Sequence, residues 1–228
     1  MKKMCIFLWI LVFKLLVITD LSFCQDDSGS VRLPVSRDKS KISVEEAINS
    51  RKSVRSFADI PLSLQEVSQL LWAAVGRIDD STSGATRAYP SAGGIYPLKA
   101  FLVAGKVNSL DSGVYWYDWR EHQLVRIVTG DKRAILASAA LGQSCVKTAP
   151  ATIVLVADFS AVKRFYGNRG RDRYISMDAG HAGQNISLQA EALGLGTVAI
   201  GAFHDEEVKK ILQADNAPVY LFPVGKKE

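Results

Sequence analysis

Between Lys99 and Ile127 the chain offers three strand patterns in succession with no helix to separate them. KAFLVAG is a nearly unbroken apolar run, and GVYWYDWREHQLVRI reads as two β-branched and aromatic strands joined by a polar turn near Asp118 to Glu121. Regular βαβ winding interposes a crossover helix between parallel strands, so this block argues against it. With helical patterns before and after the block, the expected class is α+β.

The helical patterns announce their own starts. SVEEAINS and SLQEVSQLLWAAVG each place a serine three residues before a glutamate, Ser43 with Glu46 and Ser63 with Glu66, the reciprocal capping box that satisfies free amides at a helix start. In the second, Leu64, Val67, Leu70, Leu71, Ala74 and Val75 recur at helical spacing until Gly76 stops them. DKRAILASAALGQ reads as one helix over 131–143, and PATIVLVAD as a short buried strand. MDAGHAGQNISLQAEALGLG predicts a helix over 176–193 whose glycines each cost about 1 kcal/mol relative to alanine, which close packing would offset. TVAIGAF then reads as a strand running into a turn, DEEVKKILQ as a short helix and VYLFPVG as a last strand.

The N-terminus, MKKMCIFLWILVFKLLVITDLSFCQDD, has a basic start, an apolar run broken by Lys14 and a polar end, the layout of a secretory signal peptide over residues 1–24. The expected mature chain starts at Gln25 and is exported, periplasmic or extracellular. LSFC also resembles a lipoprotein box ending at Cys24, although Phe23 is bulkier than the usual residue there. Residues 25–41 are polar and turn-rich and read as a flexible arm, and residues 42–228 as the folded domain. Part of the +5 formal charge belongs to the signal, and the remainder is too mild to point to nucleic acid. Past Cys24, Cys145 stands alone, so no intrachain disulfide supports the fold.

Four segments carry chemistry. SRKSVRSF sets Arg51, Lys52 and Arg55 around Ser53, a pattern suited to gripping phosphate through charge-assisted hydrogen bonds, or to a solvated basic turn. PSAGGIYP offers backbone amides without bulk, as an ordinary turn or as a loop against a planar ligand or anion: Pro90, Ser91, Ala92, Gly93 and Gly94. GTVAIGAF brings Gly201 and Ala202 to a strand end, and the terminal GKKE adds Lys226 and Lys227. His122, His181 and His204 lack zinc-ligand spacing, no metal site is expected, and Ser91 sits in no G-x-S-x-G elbow.

Taken in order, RKSVRSF, PSAGGIYP, VYWYDWREHQL, YGNRGRDRYISMDAGHAGQNISLQAEALGLG, GAFHD and PVG resemble the FMN-dependent nitroreductase superfamily, and within it the SagB-type dehydrogenase branch that includes azoline oxidases. The resemblance implies a mostly antiparallel central sheet flanked by helices, in a homodimer holding FMN at its interface. It assigns Arg51, Ser53 and Arg55, with Lys52 beside them, to the phosphate and ribityl grip, and Pro90 to Gly94 to the loop beside the flavin ring. Gly201 and Ala202 match the turn near the reactive edge, and Lys226 or Lys227 a terminal phosphate contact.

The activity implied is hydride transfer through flavin N5, from NAD(P)H to a small nitroaromatic or quinone-like acceptor. Azoline dehydrogenation and a non-catalytic flavin-binding or interaction module are the alternatives. Gly94 stands where many nitroreductases have Asn, and Phe165-Tyr166 where the azoline branch has Lys-Tyr, leaving Tyr166 as a pocket residue. For an exported chain a membrane redox partner could replace the nicotinamide donor.

Overall fold

The computed structural model describes residues 29–78 and 86–228. The expected signal peptide, residues 1–24, lies outside them. Seven strands form one antiparallel sheet in the order β1-β4-β3-β2-β5-β7-β6. They are β1 (Ser30–Arg32), β2 (Leu98–Ala104), β3 (Gly113–Asp118), β4 (Gln123–Thr129), β5 (Ala151–Ala157), β6 (Leu195–Thr197) and β7 (Ala217–Lys226). The consecutive-strand block is β2, β3 and β4, paired as successive hairpins.

The helices are α1 (Val44–Ser50), α2 (Leu64–Val75), α3 (Arg133–Ala139), α4 (Ser144–Thr148), α5 (Phe159–Arg169), α6 (Ile175–Ala192) and α7 (Asp205–Leu212). Both expected capping boxes are formed, at Ser43 and at Ser63, and each contributes about 1 kcal/mol to its helix start.

Strand β5 lies between β2 and β7, and every one of its residues is buried. Its side chains alternate between two cores. Ile153 and Leu155 join Val67, Leu70 and Leu71 of α2 and Ala182 and Ile186 of α6 on one face. Val154 and Val156 join Leu136 of α3, Val146 of α4 and Val208 and Leu212 of α7 on the other. Fully burying one such aliphatic side chain contributes about 1.5–3 kcal/mol, so this strand anchors both layers. Gly183 lets α6 lie on β7: a Cβ there would stand 2.7 Å from the Phe222 ring.

Three local expectations are corrected. Residues 30–32 of the supposed arm form β1, which extends the sheet by pairing Val31 with Leu124. Val31 and Leu33 are buried, and the Pro34 carbonyl and the Ser68 hydroxyl both meet His122 Nε2, at 2.9 and 2.8 Å. Two apolar residues among polar neighbours were enough to dock the segment. The single helix expected over 131–143 ends at Ala139, where Leu141 and Gly142 adopt positive φ, and α4 follows as a separate turn. TVAIGAF is a strand only to Thr197, after which Ile200 makes one isolated bridge to Leu221.

Candidate functional site

The basic segment SRKSVRSF runs beside the sheet edge. Ser53 bridges Thr197 of β6, the Val54 amide donates to the Thr197 carbonyl at 2.9 Å, and Phe57 bridges Lys227 just past β7. Gly196 makes this close approach possible, because a Cβ there would stand 2.6 Å from Val54. The segment therefore presents Arg51, Lys52, Ser53 and Arg55 to solvent along a fixed backbone. Among the described residues none of the three cations has a carboxylate partner within ion-pair distance.

Lys226 and Lys227 reach the same edge but are engaged. Lys226 Nζ pairs with Glu66 of α2, and Lys227 Nζ with Glu191 of α6 at 2.7 Å. Burial works against the Glu66 carboxylate, yet hydrogen bonds from Lys226 and Ser63 outweigh it and hold its pKa low. These two lysines tie the end of β7 to the helices, and the free cations of the strip are Arg51, Lys52 and Arg55.

The glycine loop is built on α6 and α5. Ser91 Oγ donates to Asp178 Oδ2 at 2.5 Å and accepts from the Tyr96 amide at 3.0 Å, so its hydroxyl is spent on shaping the loop. Asp178 is buried, and desolvation pushes its carboxyl up against the opposing hydrogen bonds from Ser91 and the Ala92 amide. His181 Nδ1 meets the Pro90 carbonyl at 3.2 Å, and Asn185 Nδ2 holds the carbonyls of Ala73 and Ala88. Gly93 and Gly94 have φ of +62° and +65°, and Tyr96 follows at +51°. A left-handed tyrosine is strained. The hydrogen bond its amide donates to Ser91 Oγ and the edge-on packing of its ring on Tyr89, 5.5 Å between centroids, hold it there.

Tyr166 joins this loop. A Cβ at Gly93 would stand 2.5 Å from the Tyr166 hydroxyl, while Phe165 beside it is 69% exposed. The Tyr166 ring packs edge-on against Tyr174 at 4.9 Å. Gly201 and Ala202 are exposed, with the Ala202 carbonyl accepting from Gln143 Nε2 at 3.1 Å.

The loop contacts Asp178 and His181 near the start of α6, and Lys227, which bridges Phe57 of the basic segment, meets Glu191 near its end. Along the helix, Asp178 and Glu191 are about 20 Å apart at 1.5 Å per residue. Sequence reasoning missed Asp178, whose only signal was a carboxylate on the buried face of a small-residue helix. It also missed helix α5, because FSAVKRFYGNR is polar and its helix breaks at Gly167.

The residues present fit a phosphate-bearing planar cofactor: three unpaired cations and a hydroxyl on one strip, and a loop of exposed left-handed glycines on the other. Among the described residues no cluster could hold a metal ion, and no helix is long and apolar enough to cross a membrane.

Comparison with known proteins places the arrangement. The model of the nitroreductase family matches residues 48–226. A protein of Methanocaldococcus jannaschii designated a nitroreductase is 39% identical over 201 residues, 88% of this chain and 98% of that protein. A solved structure from Ralstonia eutropha, also designated a nitroreductase, superposes with a TM-score of 0.75 at 26% identity, covering 88% of this chain and 90% of its own. The Escherichia coli microcin synthetase McbBCD complex with truncated pro-MccB17 bound contains a chain with a TM-score of 0.67 at 26% identity, covering 86% of this chain and 76% of that one. The chain belongs to the nitroreductase family.

Proposed function

We propose that the protein is an FMN-dependent oxidoreductase that passes a hydride from NAD(P)H to a small nitroaromatic or quinone-like acceptor. The observation that carries this reading is the strip of unpaired cations, Arg51, Lys52 and Arg55, fixed beside β6 in a chain of the nitroreductase family. Arg51, Ser53 and Arg55 would hold the phosphate and ribityl chain. Ser91 to Gly94 would lie beside the ring, and Gly201 and Ala202 at its reactive edge.

When bound, FMN supplies two-electron chemistry, accepting a hydride at N5 and returning the electrons to a second substrate. The chain's share is orientation and charge. Within the loop the Ala92 and Gly94 amides are taken by Asp178 and the Ser91 carbonyl, which leaves the Gly93 amide to favour negative charge on the ring without a catalytic side chain, and Tyr166, beside Gly93, walls the acceptor's side. A homodimer holding FMN at its interface belongs to the same reading.

The likeness to the microcin synthetase chain keeps azoline dehydrogenation as the second reading, although Phe165 occupies the place of the lysine in the azoline branch. Export belongs to the same proposal, with FMN loaded outside the cytoplasm and a membrane redox partner as the alternative electron source.

The test is the visible spectrum of the purified protein, recorded before and after anaerobic addition of NADH or NADPH. A yellow protein that bleaches supports the reading. Bound FMN that stays oxidised overturns the nicotinamide donor, and a colourless protein that cannot be reconstituted overturns both enzyme readings and leaves an interaction module.

A further inference from the structure

A pocket opens where the chain leaves the glycine loop, at Ile95 and Tyr96. Its volume is about 300 Å³, and its walls include Arg87, Tyr96, Lys99, Trp119, Arg120 and Asp158. Arg87 is its unusual member. It is only 4% exposed, its Nη2 donates to the Leu98 carbonyl at 2.9 Å, and its Nε has no partner. The Trp119 ring takes the Arg87 guanidinium at 4.1 Å and that of Arg120 at 4.4 Å.

Among the described residues no carboxylate forms an ion pair with Arg87, and its charged neighbourhood is Arg120 with the hydroxyls of Tyr89, Tyr117 and Tyr96. Burial lowers its pKa, and the charge of Arg120 adds to that effect. An arginine stays protonated in spite of such shifts, and a buried charge without a counter-charge is costly. Asp158, the one acid among the described wall residues, does not supply it. Asp158 caps α5, accepting from the Ser160 amide and hydroxyl at 3.0 and 2.6 Å and from the Ala161 amide at 3.1 Å. Lys99 is held by Asn216 at 2.8 Å. Among the described lining residues three cations stand against one engaged carboxylate, and Tyr96 and Trp119 give the pocket an aromatic lining.

We propose that this pocket binds a carboxylate carried on an aromatic or apolar body, with Arg87 as its buried counter-charge. A carboxylate complements the guanidinium charge, and the aromatic walls receive the rest of the molecule. The site stands on the pocket alone and needs no flavin, although Tyr96 makes it continuous with the loop that ends at Gly94. A free aromatic acid and the C-terminal carboxylate of a peptide present the same group.

Calorimetric titration of the folded protein at constant ionic strength tests it, with benzoate and the tripeptide Gly-Gly-Phe in separate arms, each against its amide. At least one acid is expected to saturate at one site per chain while its amide does not, and the arm that saturates identifies the source. Arg87→Gln is expected to weaken that binding at least tenfold with the circular dichroism spectrum retained. Where that variant does not fold, Arg120→Gln and Lys99→Gln decide, each with a measurable loss. Absence of saturation by either acid, equal binding of the amides, tighter binding of inorganic phosphate to the same site, or unchanged affinity in the folded variants would overturn the proposal.

Discussion

At the scale of single residues, function rests on which polar groups are already committed. Ser91 looked like a ligand from its place in PSAGGIYP, yet its hydroxyl is bound to Asp178 and to the Tyr96 amide. Arg51 has no such commitment. Arg51→Ala is therefore expected to weaken FMN binding at least tenfold, about 1.4 kcal/mol or more for a lost charge-assisted contact. Fluorescence titration measures it, and unchanged affinity would refute the phosphate assignment.

Gly93 carries a second residue-scale prediction. Gly93→Ala meets both a left-handed backbone and the Tyr166 hydroxyl, and is expected to destabilise by about 1–2 kcal/mol. Adding Tyr166→Phe should recover part of that loss, because it removes the atom in the way. A double-mutant cycle by urea unfolding reads the coupling.

The glycines were legible in the sequence because their lack of side chains is itself the signal. Asp178 and Arg87 were not, since their importance lies in partners far along the chain or in the lack of one.

At the scale of elements, the strand block, both capping boxes and the small-residue helix were readable from periodicity and local chemistry. β1 was not, because its three residues gain meaning only from the edge of β4 they cover. Removing residues up to Lys41 is expected to cost about 3 kcal/mol or more by exposing the sites of Val31 and Leu33. It also bares the β4 edge to pairing between molecules, and light scattering should show aggregation that rises with concentration.

His122 joins that segment to the core. Burial depresses its pKa below the ordinary 6.5, with the Pro34 carbonyl opposing the shift. The unfolded chain then takes up the proton first as pH falls, so the stability tied to His122 is complete above about pH 6.5 and is lost on acidification below it. Urea midpoints at pH 7.5 and 5.5 should separate more in the native chain than in His122→Gln, and equal separations would sink this account.

At the scale of the whole molecule, the proposed homodimer with FMN at its interface leads to a stoichiometric expectation. Light scattering coupled to size exclusion should find two chains and two FMN molecules together, and a monomer that keeps its flavin would contradict the shared site. The sheet order carries a further consequence, for the sequence of events in synthesis. β1 is made first, but its partner residues belong to β4, so α1, α2, β2 and β3 must all be produced before the pairing can form. That pairing also closes a longer loop, 93 residues from Val31 to Leu124 against 51 from Leu102 to Ile153, so it is the costlier one to form. In a refolding experiment with pulsed hydrogen exchange, the Leu33 amide, which donates to the His122 carbonyl at 3.0 Å, should gain protection after the amides of β2 and β5.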